Sequence, residues 1–382
     1  MAGTIVRDRP VTEFTGNNER WGQMRRREFG LDLIRAVAVI FVISVHFYYN
    51  NGFYFQKMEG LSMWLAGSSR WLFYTCVPLF MLITGYLRAN DRPTKKYYSG
   101  LFRVVISWLI ISLICLCFRI GYYGTKKTVL QWIGDILNYG TAQYSWYVEM
   151  YIGLFLCIPF INLAFNGLET KKQHLLMVGS VCFMTFLPSL LNGWSIGGST
   201  WNLIPDYWTY LYPFGYYLIG CYIRKYRPKP ASWFCIGMTV LLCFIKGMYT
   251  YVTADGGTFS DGLGGGYSDW LVCIISTLLF LGVYQITGKR LRNRLGDVVA
   301  GVVRFIAAVS FDAYLISYVF DVPMYAKFNP QIGPGTYFTT YFTVCVPIMI
   351  MSFIAAWPVS WVSGKISRWL SAALGMNGEN PR

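Results

Sequence analysis

The chain has 382 residues, of which 55% are hydrophobic, 18% aromatic and only 13% charged. Mean hydropathy is +0.40 and the formal net charge is +15. Repeated apolar runs of eighteen residues or more exclude a soluble globular domain and define an all-α, polytopic membrane helical bundle. The positive charge does not imply a nucleic-acid partner, because the basic residues cluster at helix ends, where the positive-inside rule puts them. The ten Cys lie almost all in apolar runs without metal-ligand spacing. They read as small packing residues, with no disulfide framework and no metal site.

Residues 1–29 read as a basic cytoplasmic tail. The run after Arg25, Arg26 and Arg27 is too long for a cleavable signal and lacks a small-residue cleavage site, so it reads as a signal anchor. Hydropathy predicts ten spans, at about 30–49, 71–88, 101–120, 146–165, 175–192, 207–223, 231–251, 269–287, 300–320 and 337–361. With both termini inside, twenty-four Lys and Arg fall in inner segments and five in outer ones, which fixes the orientation. The expected layout is a tail over 1–29, a membrane domain over 30–362 and a second cytoplasmic tail over 363–382. Residues 128–139 are amphipathic and too short to span, and predict an interfacial helix on the outer face. The glycine-rich stretch 252–268 has no preceding strand and no Lys-Ser/Thr, so it reads as a flexible external loop, not a phosphate cradle.

The first span, GLDLIRAVAVIFVISVHFYY at 30–49, carries Asp32, Arg35 and His46. An ionisable side chain inside a membrane helix is costly, which makes it a candidate functional group. Eleven residues at 100° each come to about 20° past three turns, so Arg35 and His46 share one face, roughly 16 Å apart along the axis. Arg35 could instead be a snorkelling anchor and His46 a packed residue bonded to a neighbouring helix. Four further positions are buried by hydropathy: Glu149 near the outer end of the fourth span, Asp312 in the middle of the ninth, Arg304 at its inner end, and Lys246 near the outer end of the seventh. By depth, Glu149 could pair with His46 or Lys246. Arg304 could join Arg35 on an anionic ligand, and Asp312 could hold two helices together by a hydrogen bond. Lys246 and Arg119 read as snorkelling side chains. His174, in ETKKQHLL, reads as solvated or interfacial. Two His without a Cys/His cluster argue against a transition-metal site, and the absence of GxSxG removes support for a serine-hydrolase elbow.

LDLIRAVAVIFVISVHF, with ten residues between Arg35 and His46, resembles the first helix of the membrane acyltransferase-3 family. VPLFMLITGYL (77–87), WYVEMYIGLFLCIPFI (146–161), YPFGYYLIGCYI (212–223) and VSFDAYLISYVF (309–320) are similar, in order, to further family segments. Two family histidines are missing: Tyr144 stands before Ser145–Trp146, and Ser317 closes the ninth-span motif; Glu149 and Asp312 lie near both gaps.

The resemblance implies transfer of a short acyl group, usually acetyl, from cytoplasmic acyl-CoA to a sugar hydroxyl of a surface polysaccharide or its lipid-linked precursor. It implies a multi-pass enzyme of a bacterial plasma membrane. Without room for an appended SGNH domain, the protein would complete transfer itself or hand over to a polysaccharide-synthesis partner. On this reading no cofactor is held tightly, and acyl-CoA is the donor substrate. Arg35, with Arg103 and Arg304, would bind its phosphates by bidentate bonding, and Asp32 would orient Arg35. His46 would act as general base or carry the acyl group, with Glu149 orienting it or touching the acceptor and Asp312 a further candidate acid. A proton-coupled glycan exporter or flippase is the alternative, since intramembrane His, Glu and Asp also serve proton relays. It is weakened by the absence of an internal repeat.

Overall fold

The computed structural model describes residues 29–376, except 197, 262–264, 288–293, 330–332 and 334. The tail predicted over 1–29, apart from Phe29, part of the inner basic segment near 290 and the last six residues lie outside the described residues. Inner and outer denote the sides assigned from the basic residues.

Among the described residues, twelve helices of nine residues or more carry the fold: α1 (Phe29–Asn50), α2 (Gly60–Phe73), α3 (Cys76–Arg88), α4 (Lys95–Tyr123), α5 (Val129–Leu137), α6 (Trp146–Asn166), α7 (Lys171–Phe186), α8 (Tyr212–Tyr226), α9 (Ser232–Ala254), α10 (Trp270–Val283), α11 (Arg294–Phe328) and α12 (Tyr337–Ala373). The only strands among the described residues are a two-residue pair at Ser195–Ile196 and Ser199–Thr200. Each predicted span coincides with helix. Seven segments, counting α2 and α3 as one over Gly60–Arg88, are long and apolar enough to cross a membrane. The other three, α7, α8 and α10, have 16, 15 and 14 residues, which at 1.5 Å per residue fall short of a hydrocarbon core of roughly 30 Å.

The boundaries depart from hydropathy where local chemistry overrides it. The second span starts at Gly60, eleven residues before its predicted start, and is interrupted at Tyr74–Thr75. Pro78 is the cause: its ring clashes with the carbonyl four residues back and it has no N–H to donate. The last helix does not stop at 361. No helix breaker follows, so it runs to Ala373 and ends where Gly375 adopts φ +61°. The expected tail over 363–382 is therefore helical through its first eleven residues. α5 forms where an amphipathic helix is expected, started by a capping box between Thr128 and Gln131, with Val129, Leu130 and Leu137 exposed.

Small residues set the closest helix crossings. A Cβ on Gly85 of α3 would strike the Tyr217 carbonyl of α8, and one on Gly220 would strike the Leu82 carbonyl. Between α9 and α2, a Cβ on Gly247 would meet Ser68. Such close backbone approach supplies the dispersion packing that holds membrane helices together. α1 is enclosed by α2, α3, α10, α11 and α12, which explains why its polar residues are buried.

Two predicted surface features prove to be buried. Lys246 does not snorkel: it is 3% exposed and its Nζ lies 2.8 Å from Asp269 Oδ2. Asp269 Oδ1 meanwhile accepts the Leu271 and Val272 N–H groups and caps α10. His174 is fully buried, with Nδ1 2.7 Å from the Thr170 carbonyl and Nε2 2.7 Å from Lys225 Nζ. The loop following α9 is also packed down. Gly257 accepts a hydrogen bond from the Met58 N–H, Phe259 is buried, and Asp261 lies 3.3 Å from the buried Arg70.

Candidate active site

A cavity of about 1160 Å³ runs through the bundle between α1, α3, α4, α6, α11 and α12. Both Arg35 and His46 line it, as their shared face requires. α3 runs antiparallel to α1 and contributes a matching stripe. Val77, Phe80, Ile83, Thr84 and Leu87 follow at helical spacing and end in Arg88. The inner end therefore holds cations and the middle is apolar.

Four guanidinium groups line the inner end: Arg35, Arg88, Arg103 and Arg368. Arg103 and Arg368 converge. The position a Cβ would take on Gly364 is 3.8 Å from Arg103 Nη1 and 3.9 Å from Arg368 Nη1. Arg103 Nη2 donates to Ser360 Oγ at 2.7 Å. Arg88 bonds Asp91 at 2.9 Å and its guanidinium lies 5.0 Å from the Phe155 ring centre. The backbone beneath it is fixed, since the Arg88 carbonyl accepts from Asn162 Nδ2 at 2.7 Å. Like charges gathered in one cavity repel, so the cluster is suited to a multiply charged anion.

At the outer end His46 is 8% exposed. Its ring stacks on Tyr144, with centroids 3.6 Å apart. Its Nδ1 lies 3.7 Å from Asp321 Oδ2, the same oxygen that accepts the Tyr144 hydroxyl at 2.7 Å. Among the described residues, His46 Nδ1 and Asp321 Oδ1 are buried without a hydrogen bond. Asn50 Nδ2 reaches both the His46 carbonyl, at 2.8 Å, and the Tyr144 hydroxyl, at 3.3 Å. The strand of chain carrying Tyr144 is held by Arg119, whose Nη1 donates to the Gly140 carbonyl at 2.9 Å. Arg119 therefore anchors a loop as well as ending a helix.

The remaining candidates fall in three positions. Asp32 is buried behind Arg35, 3.9 Å away, where it can orient the guanidinium. Asp312 is buried outside the cavity lining and faces the hydroxyls of Ser107 and Ser360 and the charge of Arg103. It therefore joins α11 to α4 and α12 and backs the cation cluster, rather than standing at His46. Glu149 and Arg304 are exposed and do not line the cavity. Trp146, Tyr147 and Tyr151 take the cavity side of α6, which turns Glu149 away, and an acid in a first helical turn is stabilised by the helix dipole. Arg304 precedes the lining residue Phe305 and projects about 100° away from it. The acid beside His46 is Asp321, and the cations beside Arg35 and Arg103 are Arg88 and Arg368.

A membrane bundle with a cationic end and a histidine–carboxylate cluster joined by one cavity has the parts of a group-transfer site. A family model for the acyltransferase domain matches residues 28–361, and the chain belongs to this acyltransferase-3 family. The protein is thus a multi-pass membrane acyltransferase. Neither a search of curated proteins nor one of solved structures returned a match.

Proposed function

We propose that the protein moves an acetyl or other short acyl group from cytoplasmic acyl-CoA to a sugar hydroxyl of a surface polysaccharide or its lipid-linked precursor, in a bacterial plasma membrane. The observation that carries this reading is the single cavity lined by Arg35 at one end and His46 at the other. A CoA thioester has the matching shape: charged phosphates at one end, a long thin arm, and the reactive carbonyl at the far tip.

On this reading Arg35, Arg88, Arg103 and Arg368 hold the phosphates, and guanidinium forks suit them by bidentate bonding. The arm lies along Val77, Phe80, Ile83 and Leu87. His46 Nε2 takes the proton of the acceptor hydroxyl as its oxygen attacks the thioester carbonyl. The carbon–sulfur bond then breaks, the CoA thiolate leaves with the proton from the imidazolium, and the products are the sugar ester and CoA thiol. Asp321 faces Nδ1 and would keep Nε2 free to accept the proton; apo hydrogen bonds of this kind are often long and tighten once substrate is bound. Polysaccharide-synthesis proteins would supply the acceptor.

The test uses purified protein in lipid nanodiscs, with radiolabelled acetyl-CoA and a panel of glycosides. Label passing to a glycoside with release of CoA supports the reading. No CoA release with any acceptor or acyl-CoA refutes it.

A further inference from the structure

Four side chains form one continuous stack that ends in the cavity. Arg70 is 2% exposed, and its guanidinium carbon lies 4.2 Å from the Tyr74 ring centre. Tyr74 stacks on Tyr267 with centroids 4.4 Å apart and planes 11° apart. Tyr267 stacks in turn on Trp146, at 5.6 Å and 17°. Tyr74 and Trp146 make no ring contact with each other among the described residues, so Tyr267 links them. Trp146 is the terminal ring, and it differs from the others in being 40% exposed while lining the cavity. Among the described residues its only parallel ring partner is Tyr267, so no second ring stacks on the indole.

The base of the stack is over-determined. Arg70 Nε donates to the Tyr54 hydroxyl at 3.1 Å, and the guanidinium carbon lies 4.1 Å from the Trp71 ring centre. The stack thus fixes the tilt of the indole before any ligand arrives, which reduces the ordering cost of binding. Trp146 follows Tyr144 by two residues, and Tyr144 lies flat on His46. Trp146 and His46 line the same cavity, so a molecule resting on the indole shares that enclosure with the imidazole. Gln143, Asn50 and Tyr49 also line this cavity and can supply polar partners to a rim of hydroxyls.

We propose that the unstacked face of Trp146 is the platform for the acyl acceptor, and that it selects ring-form sugars over acyclic polyols. This rests on the acyl-transfer reading above. A pyranose presents a flat patch of C–H bonds on one side and hydroxyls around its rim. The patch lies on the electron-rich indole face by dispersion and C–H contacts, and a rim hydroxyl is turned toward His46. An open-chain polyol carries the same hydroxyls but has no flat face.

The experiment compares methyl glucopyranoside with sorbitol as acceptors for radiolabelled acetyl-CoA, using wild-type protein and the Trp146→Leu and Trp146→Tyr variants in nanodiscs. The expected result is that wild type prefers the glucopyranoside by about tenfold in kcat/KM. Trp146→Leu raises the KM for the glycoside about tenfold and erases the preference, the KM for acetyl-CoA stays within about twofold, and Trp146→Tyr recovers most of the loss. Sorbitol used by wild type as readily as the glycoside overturns the proposal without recourse to a variant. So does an unchanged glycoside KM in Trp146→Leu, or an equal rise in the acetyl-CoA KM, which would mark the indole as a packing residue. Wild type that releases no CoA with these acceptors or with any glycoside of the panel above instead overturns the acyl-transfer reading beneath it.

Discussion

Asp321 Oδ2 lies 3.7 Å from His46 Nδ1 while accepting the Tyr144 hydroxyl at 2.7 Å, so one carboxylate serves both rings of a stacked pair. Of the two positions where family histidines are missing, one lies at this point and the other a turn away on α11. Tyr144 fills one, and Asp321 lies one helical turn beyond Ser317, which stands at the other. If Asp321 orients His46, Asp321→Asn lowers kcat on the order of 10²-fold and leaves the acyl-CoA KM nearly unchanged, because the lost interaction acts on the base alone. Tyr144→Phe keeps the stacking and removes only the hydrogen bond, so its effect is smaller. Steady-state kinetics with acetyl-CoA varied would separate the two.

The inner arginines give a different signature. Arg103→Ala and Arg368→Ala each raise the acyl-CoA KM by roughly tenfold or more, since a charge-assisted hydrogen bond contributes about 1.5–3 kcal/mol. Lysine at either position recovers only part of the loss, as it keeps the charge but not the fork. Arg304→Ala, at an exposed site outside the cavity lining, leaves the acyl-CoA KM unchanged. Donor titrations of the purified variants check all of these.

The buried Lys246–Asp269 pair makes a stability prediction. Lys246→Met leaves the Asp269 carboxylate buried without its cation and costs about 3–5 kcal/mol. Adding Asp269→Asn removes the stranded charge while an amide oxygen can still cap α10, so the double variant recovers much of the loss. Thermal unfolding in detergent, compared across wild type, the single variant and the double variant, reads the difference.

The sequence made much of this legible. Spacing on one helix placed Arg35 and His46 on one face, and both line the cavity, because an α-helix fixes angular position whatever surrounds it. Arg103 was reached through its depth near the inner end. What spacing could not supply was the angular setting of the other helices. Glu149 matched His46 in depth but sits on the side of α6 turned away from the cavity, and Arg304 is turned away in the same manner on α11. Asp321 was missed because the ninth span was ended at 320, whereas α11 runs to Phe328. Arg88 and Arg368 registered only as inner positive charge, since a count of basic residues does not distinguish a headgroup anchor from a cavity wall. Lys246 and His174 were read as exposed because nothing local names a partner: Asp269 lies 23 residues from Lys246, and Lys225 lies 51 residues from His174.

The decisive comparison is of ester-linked acyl groups on the surface glycans of cells carrying wild-type protein, the His46→Ala variant, or neither, at matched membrane expression. The account predicts esters only with the wild type, since loss of a general base lowers the rate by about 10²–10⁴-fold. Equal ester content with wild type and His46→Ala, above that of cells lacking the protein, would contradict a role for His46. Equal content in all three would contradict acyl transfer to surface glycans.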